Sequence, residues 1–435
     1  MAGPGGFGAW LVGRAPALGR RNYRIFITAQ SASLVGTWMQ TLGQAWLIVV
    51  LTRDPFVLGV ITVAQALPVL IFSLFGGVIA DRADKRRILT ITPALSALLA
   101  AILGVLCVTG TVEVWHIAVL AFLLGTVNAV EIPVRQAFVM EMVGPELVSS
   151  AVGLNSSSYQ GGRLVGPAIA GVLIGVTTNL MGSAVAGTGV AFLINAASFA
   201  VVVVGYLSMH PAELIPVVRK AVVARGPRAV LHQIHEGINE VRHDRPVLVT
   251  FLVPGLISTL AINFGVLIPV LALEYGLDSG GLGLLMATNG VGALIAAVRI
   301  GLGGRSNPGT LIQGALVLGV TLILAGLSVE AGMPVPLTAL LLFIAGAGAV
   351  TMRTATNTSI QLATAPETRG RVMALFALVF EGVSPMGALF IGAVASTLGG
   401  PAAFVVCGSS AVILALLGGS EVRKIRRHRS LDAAA

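Results

Sequence analysis

The sequence predicts an all-α integral membrane protein whose twelve transmembrane helices form two pseudo-symmetric six-helix halves. Three observations carry this. Of 435 residues, 56% are hydrophobic and 10% charged, against about a quarter charged in a soluble domain. Runs free of Asp, Glu, Lys and Arg, among them 25–52, 55–80, 88–112, 246–273, 306–329 and 331–352, exceed the ~20 residues that cross ~30 Å of hydrocarbon as a helix. Glycine and proline positions also recur between the two halves at fixed offsets.

The expected spans are 23–51, 56–80, 88–110, 115–138, 147–177, 184–208, 247–275, 280–303, 309–329, 336–358, 370–397 and 400–420. They give a first half over 1–209, a polar linker over 210–246, a second half over 247–420 and a basic tail over 421–435. In the linker, Val230, Ile234, Ile238 and Val241 repeat at helical spacing, which predicts an amphipathic helix on the inner leaflet. The short apolar stretch 7–13 before a cluster of arginines is not expected to be a cleaved signal peptide.

The duplication is explicit. Pro145, Glu146, Gly161, Gly166 and Gly171 match Pro366, Glu367, Gly382, Gly387 and Gly392 at an offset of 221. Leu58, Gly59 and Gly77 match Leu282, Gly283 and Gly301 at 224. A repeated six-span unit implies a secondary transporter in which one half rocks against the other around a site near the midplane.

A net charge of +9 would suit nucleic acid, but the basic residues are distributed otherwise. Apart from Arg53 and the intramembrane Arg163 and Arg353, the Lys and Arg residues fall on or beside one side of the bilayer. That is the positive-inside pattern with both termini cytoplasmic, and the tail 421–429 reads as an anchor on anionic lipid rather than a nucleic-acid site. Cys107 and Cys407 lie in apolar runs as packing residues. His232, His235 and His243 belong to the solvated linker rather than to a metal site. No nucleotide loop, metal cluster or catalytic triad stands at a usable spacing, so no cofactor is expected.

The sharpest local signal is Gly77-Val-Ile-Ala-Asp81-Arg82-Ala-Asp84-Lys85-Arg86-Arg87 after the second span. It resembles the G-x-x-x-D-R-x-G-R-R loop of the major facilitator superfamily, with Asp84 where that pattern has Gly. The resemblance implies that Asp81 holds an inner gate closed and that Arg82, Arg86 and Arg87 follow it along the inner face. Gly162, Arg163, Gly166, Pro167 and Gly171 resemble the G-x-x-x-G-P-x-x-G-G element of the superfamily's antiporters. The wider stretch from Ile132 to Gly171 resembles the exporter branch that includes the enterobactin exporter and the macrolide efflux pumps. Many proton-coupled members carry a basic residue mid-way along the fourth span; Ala121 stands there, so proton coupling is not implied by the resemblance.

Independently of family, Gln30, Ser33, Thr37, Gln40, Thr41 and Gln44 advance by three or four residues on the first span, a polar face that lines a wet cavity or is satisfied within the bundle. Trp38, Asn128, Asn263, Arg353 and Asn357 join it as substrate-cavity candidates. Glu381, some 16 Å into the eleventh span at ~1.5 Å per residue, is the first candidate for proton coupling, and Glu131 the second. Glu131 can meet Arg135 on one helix face, or, with Arg353 at its pseudo-equivalent depth, form a gate latch.

The expected function is export of a small amphiphile (a drug, siderophore or similar metabolite) from the cell by alternating access with proton antiport. A lipid or lysolipid flippase or an importer of the same fold is the alternative. A Mg-dependent transferase using Asp81 and Asp84 would need a second acidic loop, and 301–308 has none. The partners implied are a small-molecule solute, protons and the bilayer of the cell's inner membrane, with a monomer expected.

Overall fold

The computed structural model describes residues 15–82, 84–215, 245–301, 308–364, 372–373, 375–376, 380 and 382–432. Eleven of its helices are long and apolar enough to cross a membrane, and the shorter apolar helix Ser384–Leu398 is the described part of a twelfth span. The first six are Arg21–Thr52, Pro55–Arg82, Lys85–Val108, Val114–Val143, Val148–Met181 and Ala184–Leu207. The seventh span consists of Arg245–Ala261 and Phe264–Glu274, followed by Ser279–Gly301, Pro308–Glu330, Val335–Ala363, Ser384–Leu398 and Gly400–Asp432. The last helix runs on beyond the apolar stretch into the basic tail. The linker helix expected over 230–241 and the three linker histidines lie outside the described residues.

These segments are helical because hydrocarbon offers backbone amides no partner, so each span satisfies its own. Side chains such as Leu98, Val172, Leu180 and Leu362 stay exposed, as lipid-facing positions should. Turns fall where the helix can be stopped cheaply: Gly182 ends the fifth span at φ 66°, a left-handed conformation that suits a residue without Cβ.

The residues form two compact units, Met1–Leu51 with Ala64–Val223, and Thr52–Val63 with Ala224–Ala435. The sequence repeat reappears inside them as repeated contacts. In the first unit a Cβ on Gly125 of the fourth span would lie 2.0 Å from the Gln65 carbonyl of the second. In the second unit a Cβ on Gly346 of the tenth would lie 2.2 Å from the Asn289 carbonyl of the eighth. Gly166 sits against Val35 O and Gly387 against Thr259 O in the same way. Each pair is related by the offsets found in the sequence, 221 and 224. Backbones approach this closely only through small residues, the usual means of packing helices in lipid.

One element departs from expectation. The seventh span was expected to be continuous over 247–275, but it breaks between Ala261 and Phe264. The Asn263 side-chain amide donates to the Thr259 carbonyl at 2.6 Å, taking the acceptor that a continuing helix would give to the backbone N–H four residues on.

At one end of the first unit the chain is tied into a dense cluster. Tyr23, Phe26, Phe138, Met142, Val202 and Tyr206 pack together, and the Tyr23 hydroxyl donates to Ala151 O at 2.8 Å. Buried Asn22 donates to His210 O at 2.9 Å and accepts from His210 N at 3.0 Å. The start of the linker is thereby fastened to the start of the first span.

Candidate functional site

The loop after the second span is built by the helix ends on either side of it. Asp84 is the N-cap of the third span, and its carboxylate accepts from Arg87 N at 3.3 Å. That gives the departure from glycine a local reason: an N-cap prefers an Asx or hydroxyl side chain in extended backbone, and Asp84 has φ −64° and ψ 107°. Arg86 donates to Tyr206 O at 2.9 Å and Leu207 O at 2.7 Å. Its guanidinium thus serves the carbonyls left open at the end of the sixth span, where the helix dipole favours a cation. Lys85 reaches Glu141 of the fourth span at 2.6 Å. Arg87 is exposed. Asp81 and Arg82 end the second helix; their side chains and Glu381 lie outside what the structure describes.

The glycine element of the fifth span forms a seam against the first. A Cβ on Gly162 would fall 3.1 Å from Leu34, and one on Gly166 would fall 2.6 Å from Trp38 Cβ. Pro167 and Gly171 are buried in the same helix. Beside this seam Trp38 meets Tyr159 edge-on, with ring centroids 5.5 Å apart and planes at 75°. The Arg163 guanidinium lies over the Trp38 ring, 5.8 Å from its centroid.

The polar stripe of the first span divides. Gln30, Ser33 and Gln40 are buried, and Gln40 Oε1 accepts from Asn195 Nδ2 of the sixth span at 2.6 Å. Thr37 and Thr41 are exposed and Gln44 is half-buried. The hydroxyls of Thr37 and Thr41 donate to the carbonyls four residues back, each at 2.9 Å.

Of the ionisable candidates, Glu131 is 7% exposed and accepts from Arg135 at 3.0 Å, the i, i+4 pair. The buried Tyr206 hydroxyl has no hydrogen-bond partner among the described residues and lies in the electrostatic field of both. Arg353 is exposed on the tenth span and Asn128 half-buried on the fourth. Asn357 accepts a hydrogen bond from Gln361. Asn263, besides its bond to Thr259, accepts from Ser384 Oγ at 3.4 Å. Among the described residues no group of three or more His, Cys, Asp or Glu could hold a metal ion.

Sequence reasoning overlooked Asn195 and Tyr159. Asn195 carries the one side-chain amide between Ala184 and Leu207, a signal available in the sequence. Tyr159 gives no such signal, because its pairing with Trp38 depends on how two helices meet.

The geometry has counterparts among known proteins. A family model described as transmembrane secretion effector matches residues 13–435. The staphyloferrin A transporter of Staphylococcus aureus is 33% identical over 154 residues, which is 35% of this chain and 39% of that protein, so the match spans well under half of that relative. The multidrug efflux pump Tap of Mycolicibacterium fortuitum is 25% identical over 86% of this chain and 88% of its own length. Macrolide efflux protein A of Streptococcus pyogenes is 21% identical over 92% and 97%. Among solved structures, a bacterial homologue of the lysosomal transporter Spinster superposes with a TM-score of 0.68 at 13% identity, covering 96% of each chain. A D-xylose–proton symporter does so at 0.66 and 13%, covering 91% of this chain and 97% of its own. These two likenesses concern the fold alone, whereas the family match runs through nearly the whole sequence. With duplicated six-span halves, each packed within itself through backbone contacts that repeat at the sequence offsets, the chain belongs to the transmembrane secretion effector family of major facilitator transporters.

Proposed function

We propose that this transporter exports a small amphiphilic solute, a drug, siderophore or similar metabolite, by alternating access coupled to proton entry. It works as a monomer in the cell's inner membrane with both termini in the cytoplasm. The observation that carries the proposal is the Glu131–Arg135 pair, a carboxylate 7% exposed inside a membrane span and bonded at 3.0 Å to a guanidinium. A charge in that setting is costly and usually functional. Protonating Glu131 cancels its half of the pair and frees Arg135 to change partners, which is the event an antiporter must couple to a change of access. Glu381, the first candidate from the sequence, is the other carboxylate assigned to this task. The efflux pumps and siderophore transporter among the relatives support the solute class, and the basic residues gathered toward one side support the orientation.

The test uses proteoliposomes with an imposed pH gradient and labelled amphiphiles, including a macrolide and a polycarboxylate chelator. Flux should follow the gradient in the parent and lose that dependence in Glu131→Gln or Glu381→Gln. Both variants keeping the parent's full gradient dependence would overturn proton coupling, and absence of flux for every solute would overturn export.

A further inference from the structure

Trp38 and Arg163 stand near the middle of their helices, Arg21–Thr52 and Val148–Met181. An arginine at that depth facing acyl chains is costly, so it faces the bundle interior or a water-filled cavity. Its surroundings agree. Ser156 and Tyr159, on the same helix face as Arg163, are exposed, Tyr159 by 48%, as the wall of a cavity would be. The fold does not require the cluster. The same seam in the second half, Gly387 against Thr259, carries Ile262, Phe380 and Ser384 at the positions matching Trp38, Tyr159 and Arg163. An aromatic pair and a cation were placed in one half only, on a seam that the other half packs without them.

We propose that Trp38, Tyr159 and Arg163 form a binding subsite for the flat, negatively charged end of an amphiphilic solute. The rings take a conjugated face, and the guanidinium takes a carboxylate or similar oxyanion, for which its fork of donors is suited. The inference deepens the export proposal by naming a solute class, and it depends on that proposal only for the subsite lying on the transport path.

The experiment uses the full chain in phosphatidylcholine nanodiscs with W10F, W46F and W115F, leaving Trp38 as the reporter. Its emission is titrated with 4-nitrobenzoate, 4-nitrobenzamide and 4-nitrobenzylammonium, which share a quenching ring and differ in charge. Saturable quenching by the anion is expected, about tenfold tighter than by the amide, as a charge-assisted bond allows, with the ammonium weakest. Arg163→Gln should bring the anion to the level of the amide, and Arg163→Lys should restore part of the difference. Equal affinity for the three probes, the ammonium binding tightest, or an anion preference surviving Arg163→Gln would overturn the subsite. Should Arg163→Gln not yield folded protein, the parent's ranking of the three probes decides. Anion-selective quenching without flux in proteoliposomes would refute export and leave the subsite standing. Flux without any charge preference in binding would do the reverse.

Discussion

Two seams built on one plan carry different side chains. In the first half Gly166 lets the fifth span lie on the first, and the side chains beside the contact are Trp38, Tyr159 and Arg163. In the second half Gly387 lets the eleventh span lie on the seventh, a Cβ there falling 1.7 Å from Thr259 O. Its neighbours are Asn263, which breaks the helix, and Ser384, which donates to Asn263. Phe380, at the position of Tyr159, is turned inward onto Phe376 with centroids 4.1 Å apart. Duplication preserved the backbone contact and released the side chains around it. Packing in lipid constrains the small residue, while what lines an open face is left to function.

The two seams differ most in tolerance at their glycines. Gly387→Ala places its Cβ deepest into a neighbouring backbone, so it should cost about 3 kcal/mol, and Gly166→Ala, with its nearest contact at 2.6 Å, about 1–2 kcal/mol. Thermal unfolding of the two variants in detergent checks the ranking, and a reversed order would mean that the first-half seam is the more rigid.

Next in size is the buried amide tie. Asn195→Leu leaves Gln40 without its partner and should cost about 1–2 kcal/mol, whereas the double variant with Gln40→Leu should recover much of that. A double-mutant cycle with no coupling would return Gln40 to the group of cavity-lining candidates.

Asn263→Met copies into the second half the residue found at the matching position of the first, Met39. Loss of the bond to Thr259 should cost about 1 kcal/mol, and amide exchange near residues 259–263 reports whether the break closes.

The smallest effect on stability is expected where the largest on transport is. Arg163→Ser with Tyr159→Phe gives the first half two of the second half's three side chains at this seam. Its unfolding should stay within about 1 kcal/mol of the parent, while uptake of an anionic aromatic solute into inverted vesicles falls away. Retained uptake would show that the two seams differ without consequence.

The spans, the duplication and the glycine seams were legible because each depends on composition or on a repeated spacing. The Glu131–Arg135 pair was legible too, since four residues along a helix bring two side chains together whatever surrounds them. The division of the first-span stripe was not. Helical spacing places Gln30, Thr37, Gln40 and Gln44 on one broad face, but only the position of the sixth span decides that Asn195 takes Gln40 and that Thr37 and Thr41 stay open. The break at Asn263 escaped notice for a related reason: Pro254 and Pro269 are the more conspicuous residues, yet each is held within a helix.

By itself, then, the sequence determined what a single helix or a repeated unit can determine: which segments enter hydrocarbon, how many there are, that six were copied into twelve, and which residues must be small. Hydrophobicity and periodicity are local quantities, and a bilayer reads them one segment at a time. Tertiary structure decided which polar side chains are paired inside the bundle and which stay exposed. The meeting of Trp38, Tyr159 and Arg163 depends on the rotation of two helices about their axes, set by every neighbour that packs against them.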